Sequence, residues 1–235
     1  MAEMGGHRAA DISPEIIDAF ERSGRVLVLC HHNPDGDAVG SSSALIRMIL
    51  SQGKQACLFL AGDWSKHLDF FLAGVELDPK PDGSKYDLVV ILDCHGYDRL
   101  GPDGPELAEE LKKIPLVVID HHLLTDGEKS DAFWLHDPEA SSTGELIWLL
   151  ARAMNWKPSF EAAQGLLLAI ASDTGFFGQS NTTSEALRAS ADLLELGGNL
   201  EDIKRRIKQD QPLRRYKLMG LALLSLKLHF QGRLA

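Results

Sequence analysis

Four short, almost uninterruptedly apolar runs punctuate the first half of the chain: Arg25 to Cys30, Gln55 to Leu60, Leu88 to Leu92 and Leu116 to Ile119. Each reads as a buried strand. Between them lie segments with helical signals. Ser13-Pro14-Glu15 opens a first helix, with Ser13 as N-cap, Pro14 in the first turn and Gly24 as its stop. A second helix covers about 40–51 and stops at Gly53. A short third one, Asp63 to Leu72, carries Trp64, Phe70 and Phe71 toward the core. A Gly/Pro-rich segment at 101–105 opens a helix to about Lys113. Strands that are apolar on both faces and alternate with helices belong to a parallel sheet covered on both sides. The expected fold class is therefore α/β, a mostly parallel sheet flanked by helices. The C-terminal half is more helical. There Ser142-Thr143-Gly144-Glu145 and Thr182-Thr183-Ser184-Glu185 read as capping boxes. An apolar helix covers about 159–171, the helix after the second box stops at Gly197-Gly198, and a polar helix covers about 201–210.

Composition narrows the function. The chain of 235 residues carries 24 Lys and Arg against 34 Asp and Glu, a net charge of -10. An extended nucleic-acid groove needs a basic stripe. Lys112-Lys113 is too short for one, and Lys204-Arg205-Arg206 and Arg214-Arg215 read as solvated helix faces. A small anionic ligand held through metal remains compatible with the acidic total. Three cysteines without paired spacing argue against a disulfide framework. Cys30 and Cys57 read as core, and Cys94 as a buried or site thiol. No apolar run approaches membrane-spanning length, and Met1 to Asp11 lacks the apolar core of a signal peptide. The expectation is a soluble cytoplasmic protein with no membrane partner.

The chemistry gathers at strand ends. His31-His32-Asn33-Pro34-Asp35-Gly36-Asp37 follows the first strand, Asp93-Cys94-His95 the third and Asp120-His121-His122 the fourth. Ser172-Asp173-Thr174-Gly175 follows the apolar helix at 159–171. In open α/β sheets ligands bind at the C-terminal strand edge. Gly36 lets the backbone bend so that Asp35 and Asp37 face one point. Two acids that close repel unless a cation lies between them. The competing explanation is a turn plus a helix cap, since Asn, Pro, Asp and Gly all form turns. That explanation must account for each cluster separately. One metal centre accounts for His31, Asp35, Asp37, Asp93, His121 and Asp173 together. Carboxylates and imidazoles without thiolate suit Mn2+ best, with Mg2+, Co2+ or Zn2+ as alternatives. Six ligands exceed what one substrate-binding ion needs. Two ions roughly 3.5–4 Å apart, sharing one carboxylate, can hold a hydroxide nucleophile and clamp a phosphoryl oxygen.

These motifs, HHNPDGDAVGSSS from His31, DCHGYDR from Asp93, the DHH at 120–122, ASSTGE from Ala140 and ASDTG from Ala171, resemble in order those of the DHH-family phosphoesterases of the RecJ-like superfamily, over about 25–200. The resemblance implies roles. His31, Asp35 and Asp93 would hold one manganese; Asp37, Asp93, His121 and Asp173 the other, with Asp93 bridging. His122 would lie near the substrate phosphate, and Asp120 would orient a histidine. Arg99 would bind phosphate or pair with Asp98. His32 reads as a surface residue, and His95 matches no ligand position. His7, His67, His136 and His229 read as bland. Within the family the sequence is most similar to the nano-RNase and pAp-phosphatase branch, with cyclic-dinucleotide phosphodiesterases nearby. That implies hydrolysis of short oligonucleotides, dinucleotides or 3′-phosphonucleotides. The alternatives are pyrophosphate or polyphosphate hydrolysis, against which Gly36 counts because pyrophosphatases usually carry threonine there, and a non-catalytic nucleotide-binding module. The resemblance also implies dimers. It divides the chain into a catalytic domain (1–200), a connecting helix (201–220) and the start of a truncated substrate-binding domain (221–235), with Leu223 to Phe230 as its first strand.

Overall fold

The computed structural model describes residues 12–124, 131–209, 212–227 and 230–232. His7 and His229 lie outside the described residues. Five strands, β1 (Arg25–Cys30), β2 (Gln55–Phe59), β3 (Leu88–Leu92), β4 (Leu116–Asp120) and β5 (Phe133–His136), pair in the order β2-β1-β3-β4-β5. Every pairing is parallel. The four strands expected in the first half of the chain are present as β1 to β4. The short edge strand β5 is an addition that no apolar run announced.

The helices of the unit ending at Leu200 are α1 (Pro14–Arg22), α2 (Gly36–Ser51), α3 (Asp69–Leu72), α4 (Gly104–Leu111), α5 (Thr143–Ala153), α6 (Phe160–Asp173) and α7 (Ser184–Glu195). Both sheet faces are covered, as parallel sheets require. Leu27, Leu29, Val89, Ile91 and Val118 pack with Leu100, Leu107 and Leu111 on one side. The alternate residues Val26, Val28, Val90 and Leu92 are equally buried, and α2 and α5 pack on the sheet. From Leu200 onward come α8 (Leu200–Lys204), a wide π turn at Arg205–Gln209, and α9 (Leu213–Leu224), none of whose residues is buried. Among the described residues no helix is long and apolar enough to cross a membrane.

Several boundaries move for physical reasons. α2 starts at Gly36, four residues before the expected 40, because the Asp35 carboxylate accepts the N–H groups of Asp37 and Ala38 and caps it there. Gly36 is the first helical residue rather than a bend. It is needed because a Cβ at 36 would lie 2.6 Å from Ser172 Oγ. α1 ends at Arg22, and Ser23 leaves it in extended conformation. Gly24 is no helix stop; its N–H is taken by the Asp87 carboxylate at 2.9 Å. Of the three aromatic residues in the third helical segment, Phe71 is buried and Phe70 exposed. The Thr182 box is shifted by one: Thr183 caps α7 through the Ala186 N–H. Ser142 does cap α5 through the Glu145 N–H. The Glu145 carboxylate, however, reaches back to the N–H and hydroxyl of Ser141 rather than to Ser142. The strand expected from Leu223 is contradicted at its start, where Leu223 and Leu224 end α9.

Candidate metal centre

The strand order reverses between β1 and β3, and His31 and Asp93 follow the two strands that flank that switch. Such a switch point is where an open sheet offers a crevice. The β1–β3 register aligns Cys30 with Leu92 and that of β3–β4 aligns Leu92 with Ile119. His31, Asp93 and His121 thus emerge at one edge by pairing alone. Asp93 takes a left-handed backbone (φ 60°) while its N–H still donates to Ile119. That is a strained conformation for a non-glycine residue, and it turns the chain out of the ladder at the site.

Asp37 and Asp173 come from helices. The start of α2 lies beside the end of α6, and the two approach closely because glycines face each other. A Cβ on Gly40 would lie 2.4 Å from the Gly165 carbonyl, and one on Gly165 2.8 Å from that of Gly40. The seam continues into α5, where a Cβ on Gly144 would meet that of Ala169 at 2.3 Å. Asp37 in the first turn of α2 and Asp173 at the end of α6 therefore face the same point as the strand-end groups.

His31 Nδ1 lies 3.0 Å from the His32 carbonyl, and His121 Nδ1 lies 3.3 Å from that of Ala140. A carbonyl only accepts, so both Nδ1 atoms carry the proton and both Nε2 atoms turn toward carboxylates. His31 Nε2 is 3.5 Å from Asp93 and 3.8 Å from Asp35. His121 Nε2 is 3.3, 3.6 and 3.7 Å from Asp173, Asp37 and Asp93. It is buried and makes no hydrogen bond. Two of the metal-capable groupings are His31, Asp35, Asp93 and Asp37, His121, Asp173. An orphaned buried nitrogen facing three carboxylate oxygens fits a divalent cation, and so does the hard-to-intermediate donor set. Asp35 satisfies both sequence explanations at once, since it caps α2 and faces His31.

The electrostatics run the same way. Burial, and then the charges of Asp93 and Asp173, push Asp37 well above the ordinary carboxylate range, against the pull of the Thr143 N–H. Burial pushes Asp173 up to about 6. Asp35 and then Asp93 push His31 up to about 10. Packed carboxylates that resist ionisation are relieved by a cation.

His122 is arranged differently. Its Nδ1 is 2.7 Å from Asp120 Oδ1, whose other oxygen is buried without a partner. Burial alone would raise Asp120, but hydrogen bonds from His122 hold it below its usual range, and Asp120 in turn raises His122. Asp120 thus orients His122, not His121. Arg99 is exposed, and its main-chain carbonyl accepts the His32 N–H at 2.8 Å. Asp98 faces His95 at 3.7 Å.

Sequence reasoning missed the supporting groups. The Thr143 and Gly144 N–H groups at the start of α5 grip the two Asp37 oxygens at 2.7 and 3.0 Å, and the Thr143 hydroxyl donates to Asp93 at 3.1 Å. Asn181 Nδ2 donates to the carbonyls of Ser141 and Asp173. His136 is not bland: its Nε2 lies 2.7 Å from the His122 carbonyl. The ASSTGE motif was the available signal for Thr143; Asn181 and His136 had none.

A doubly wound α/β unit with a carboxylate–imidazole centre at its switch point is thus the class that fold and site define. The chain belongs to the DHH family: the model of that family's N-terminal domain matches residues 25–170. It is 30% identical over 226 residues to the bifunctional oligoribonuclease and PAP phosphatase of Thermus thermophilus, covering 94% of this chain and 64% of that protein. It is 23% identical over 215 residues to a probable manganese-dependent inorganic pyrophosphatase of Enterococcus faecalis, covering 83% of this chain and 68% of that one. The crystal structure of an exopolyphosphatase-related protein from Bacteroides fragilis shares the fold, with a TM-score of 0.81, 24% identity, and coverage of 97% of this chain and 68% of that one.

Proposed function

We propose that this chain is the metal-binding part of a phosphoester hydrolase acting on short oligonucleotides, dinucleotides or 3′-phosphonucleotides such as pAp. The observation that carries the reading is the pair of histidines whose Nδ1 atoms face main-chain carbonyls while their Nε2 atoms face shared carboxylates. In this reading His31, Asp35 and Asp93 hold one manganese, and Asp37, Asp93, His121 and Asp173 the other. When bound, such ions make water nucleophilic near neutral pH and neutralise phosphoryl charge. The protein's own groups do the rest. Thr143 and Gly144 fix both Asp37 oxygens, and the Thr143 hydroxyl fixes one of Asp93. Asp120 holds the His122 ring by Nδ1, so its half-exposed imidazole presents Nε2 to a phosphoryl or leaving-group oxygen. The exposed Arg99, in the 3-10 turns that follow β3, supplies a cation for substrate phosphate. The oligonucleotide and PAP activity named for the Thermus relative supports the substrate class.

The test is product release with Mn2+ on a 5′-phosphorylated dinucleotide, pAp and pyrophosphate. Mononucleotide or AMP is the expected product. Turnover of pyrophosphate alone would transfer the chain to the pyrophosphatase reading. Metal binding without turnover of any would favour the nucleotide-binding module.

A further inference from the structure

His32, the neighbour of a proposed ligand, is not the plain surface residue its sequence position suggested. Its ring is wedged by its Nδ1 edge against two glycines from different loops. A Cβ on Gly62, after β2, would lie 2.5 Å from His32 Cε1 and 2.8 Å from Nδ1; one on Gly101, after β3, would lie 2.6 Å from Nδ1 and 2.8 Å from Cγ. Both glycines have left-handed φ, 76° and 74°. The His32 Nδ1 atom is buried and has no hydrogen-bond partner, so the ring is held there by fit rather than by polar pairing.

The main chain around it is tied to the same two loops. His32 N–H donates to the Arg99 carbonyl at 2.8 Å and Asn33 N–H to the Ala61 carbonyl at 3.0 Å. Asn33, itself left-handed at φ 55°, accepts the Asp63 N–H through Oδ1 at 2.8 Å. Three strand-end loops thus meet at one residue. Its remaining main-chain group, the carbonyl, is the acceptor that sets the ring of His31. Partners of this kind fix the tautomer and orientation of a ligating imidazole.

We infer that His32 is the positioning residue for His31: the shape of its ring, locked between Gly62 and Gly101, holds the carbonyl that aims His31 Nε2 at Asp35 and Asp93. The inference rests on the metal-centre reading, and its test separates the two. Mn2+ is titrated into the wild-type chain and into His32→Ala, Gly101→Ala and Gly53→Ala. Gly53 has the same left-handed backbone, φ 76°, with nothing within 4 Å of an added Cβ, so it carries the conformational strain without touching His32. We expect one of the manganese affinities to fall roughly 10–100-fold in His32→Ala and Gly101→Ala. Gly53→Ala should lower the melting temperature yet titrate like the wild type. Wild-type affinity in either of the first two variants, or an equal loss in Gly53→Ala, would overturn the role of His32. No saturable Mn2+ binding by the wild type would overturn the metal centre itself.

Discussion

The ligand groups at the strand ends and those on the helices reach the same point by different physics. His31, Asp93 and His121 are aligned by the parallel register of β1, β3 and β4, a ladder that any apolar strand residues can maintain. Asp37 and Asp173 depend on how closely α2 and α6 approach, and that distance is set by the missing side chains of Gly36, Gly40 and Gly165. The first arrangement is robust to sequence; the second is sensitive to a single methyl group. Strand ends can be specified by a pattern, whereas a helix seam must be specified atom by atom, because interiors are close-packed.

The sharpest probe of this contrast is Asp93, which faces both histidines. Asp93→Asn should lower Mn2+-dependent phosphoester turnover by roughly 1,000-fold or more, equivalent to several kcal/mol of transition-state stabilisation. Turnover assays with metal content measured in parallel check this.

The seam comes next. Gly40→Ala places a methyl against the Gly165 carbonyl and should cost about 1–3 kcal/mol in denaturant unfolding by overpacking. It should also weaken Mn2+ binding by spreading Asp37 from Asp173. A matched change on the sheet, Val89→Ala, should lose stability by large-to-small truncation and leave the Mn2+ affinity alone. If both variants bind alike, the division between ladder and seam is wrong.

Thr143→Val is a smaller perturbation. It removes the hydroxyl from Asp93 while keeping the N–H on Asp37. Metal affinity should fall roughly 10–100-fold, measured by calorimetry.

Smallest is the pH response of the metal-stripped chain. Asp173 keeps its proton to about 6 when folded and loses it near 3.8 when unfolded, so its contribution falls as pH rises between those values. His31 holds its proton to about 10 against 6.5, so its stabilisation is complete below 6.5 and lost by about 10. Both signs agree. The melting temperature in chelator should decline from pH 4 toward 10, and Mn2+ should flatten or reverse the decline.

The same contrast explains what was legible in the sequence. The apolar runs located β1 to β4 within a residue or so, because a strand buried on both faces has few other uses. β5 escaped notice because it is short and sits at the sheet edge, with Phe133 exposed. The strand-end acids and histidines were visible as clusters, since their neighbours in sequence are their neighbours in space. Gly36 was read as a turn residue, but its role is set by Ser172, far along the chain. Thr143, Asn181 and His136 act through hydrogen bonds to residues distant in sequence. His32 looked like a surface residue because no local pattern shows the two glycines that enclose its ring.

The most direct test of the central claim, that one cluster holds two ions through a shared Asp93, is low-temperature electron paramagnetic resonance of the Mn2+-loaded chain. A spin-coupled pair of ions, reduced to an isolated ion or lost in Asp93→Asn, is the predicted result. An isolated-ion spectrum in the wild-type chain, or a coupled pair that survives Asp93→Asn, would contradict it.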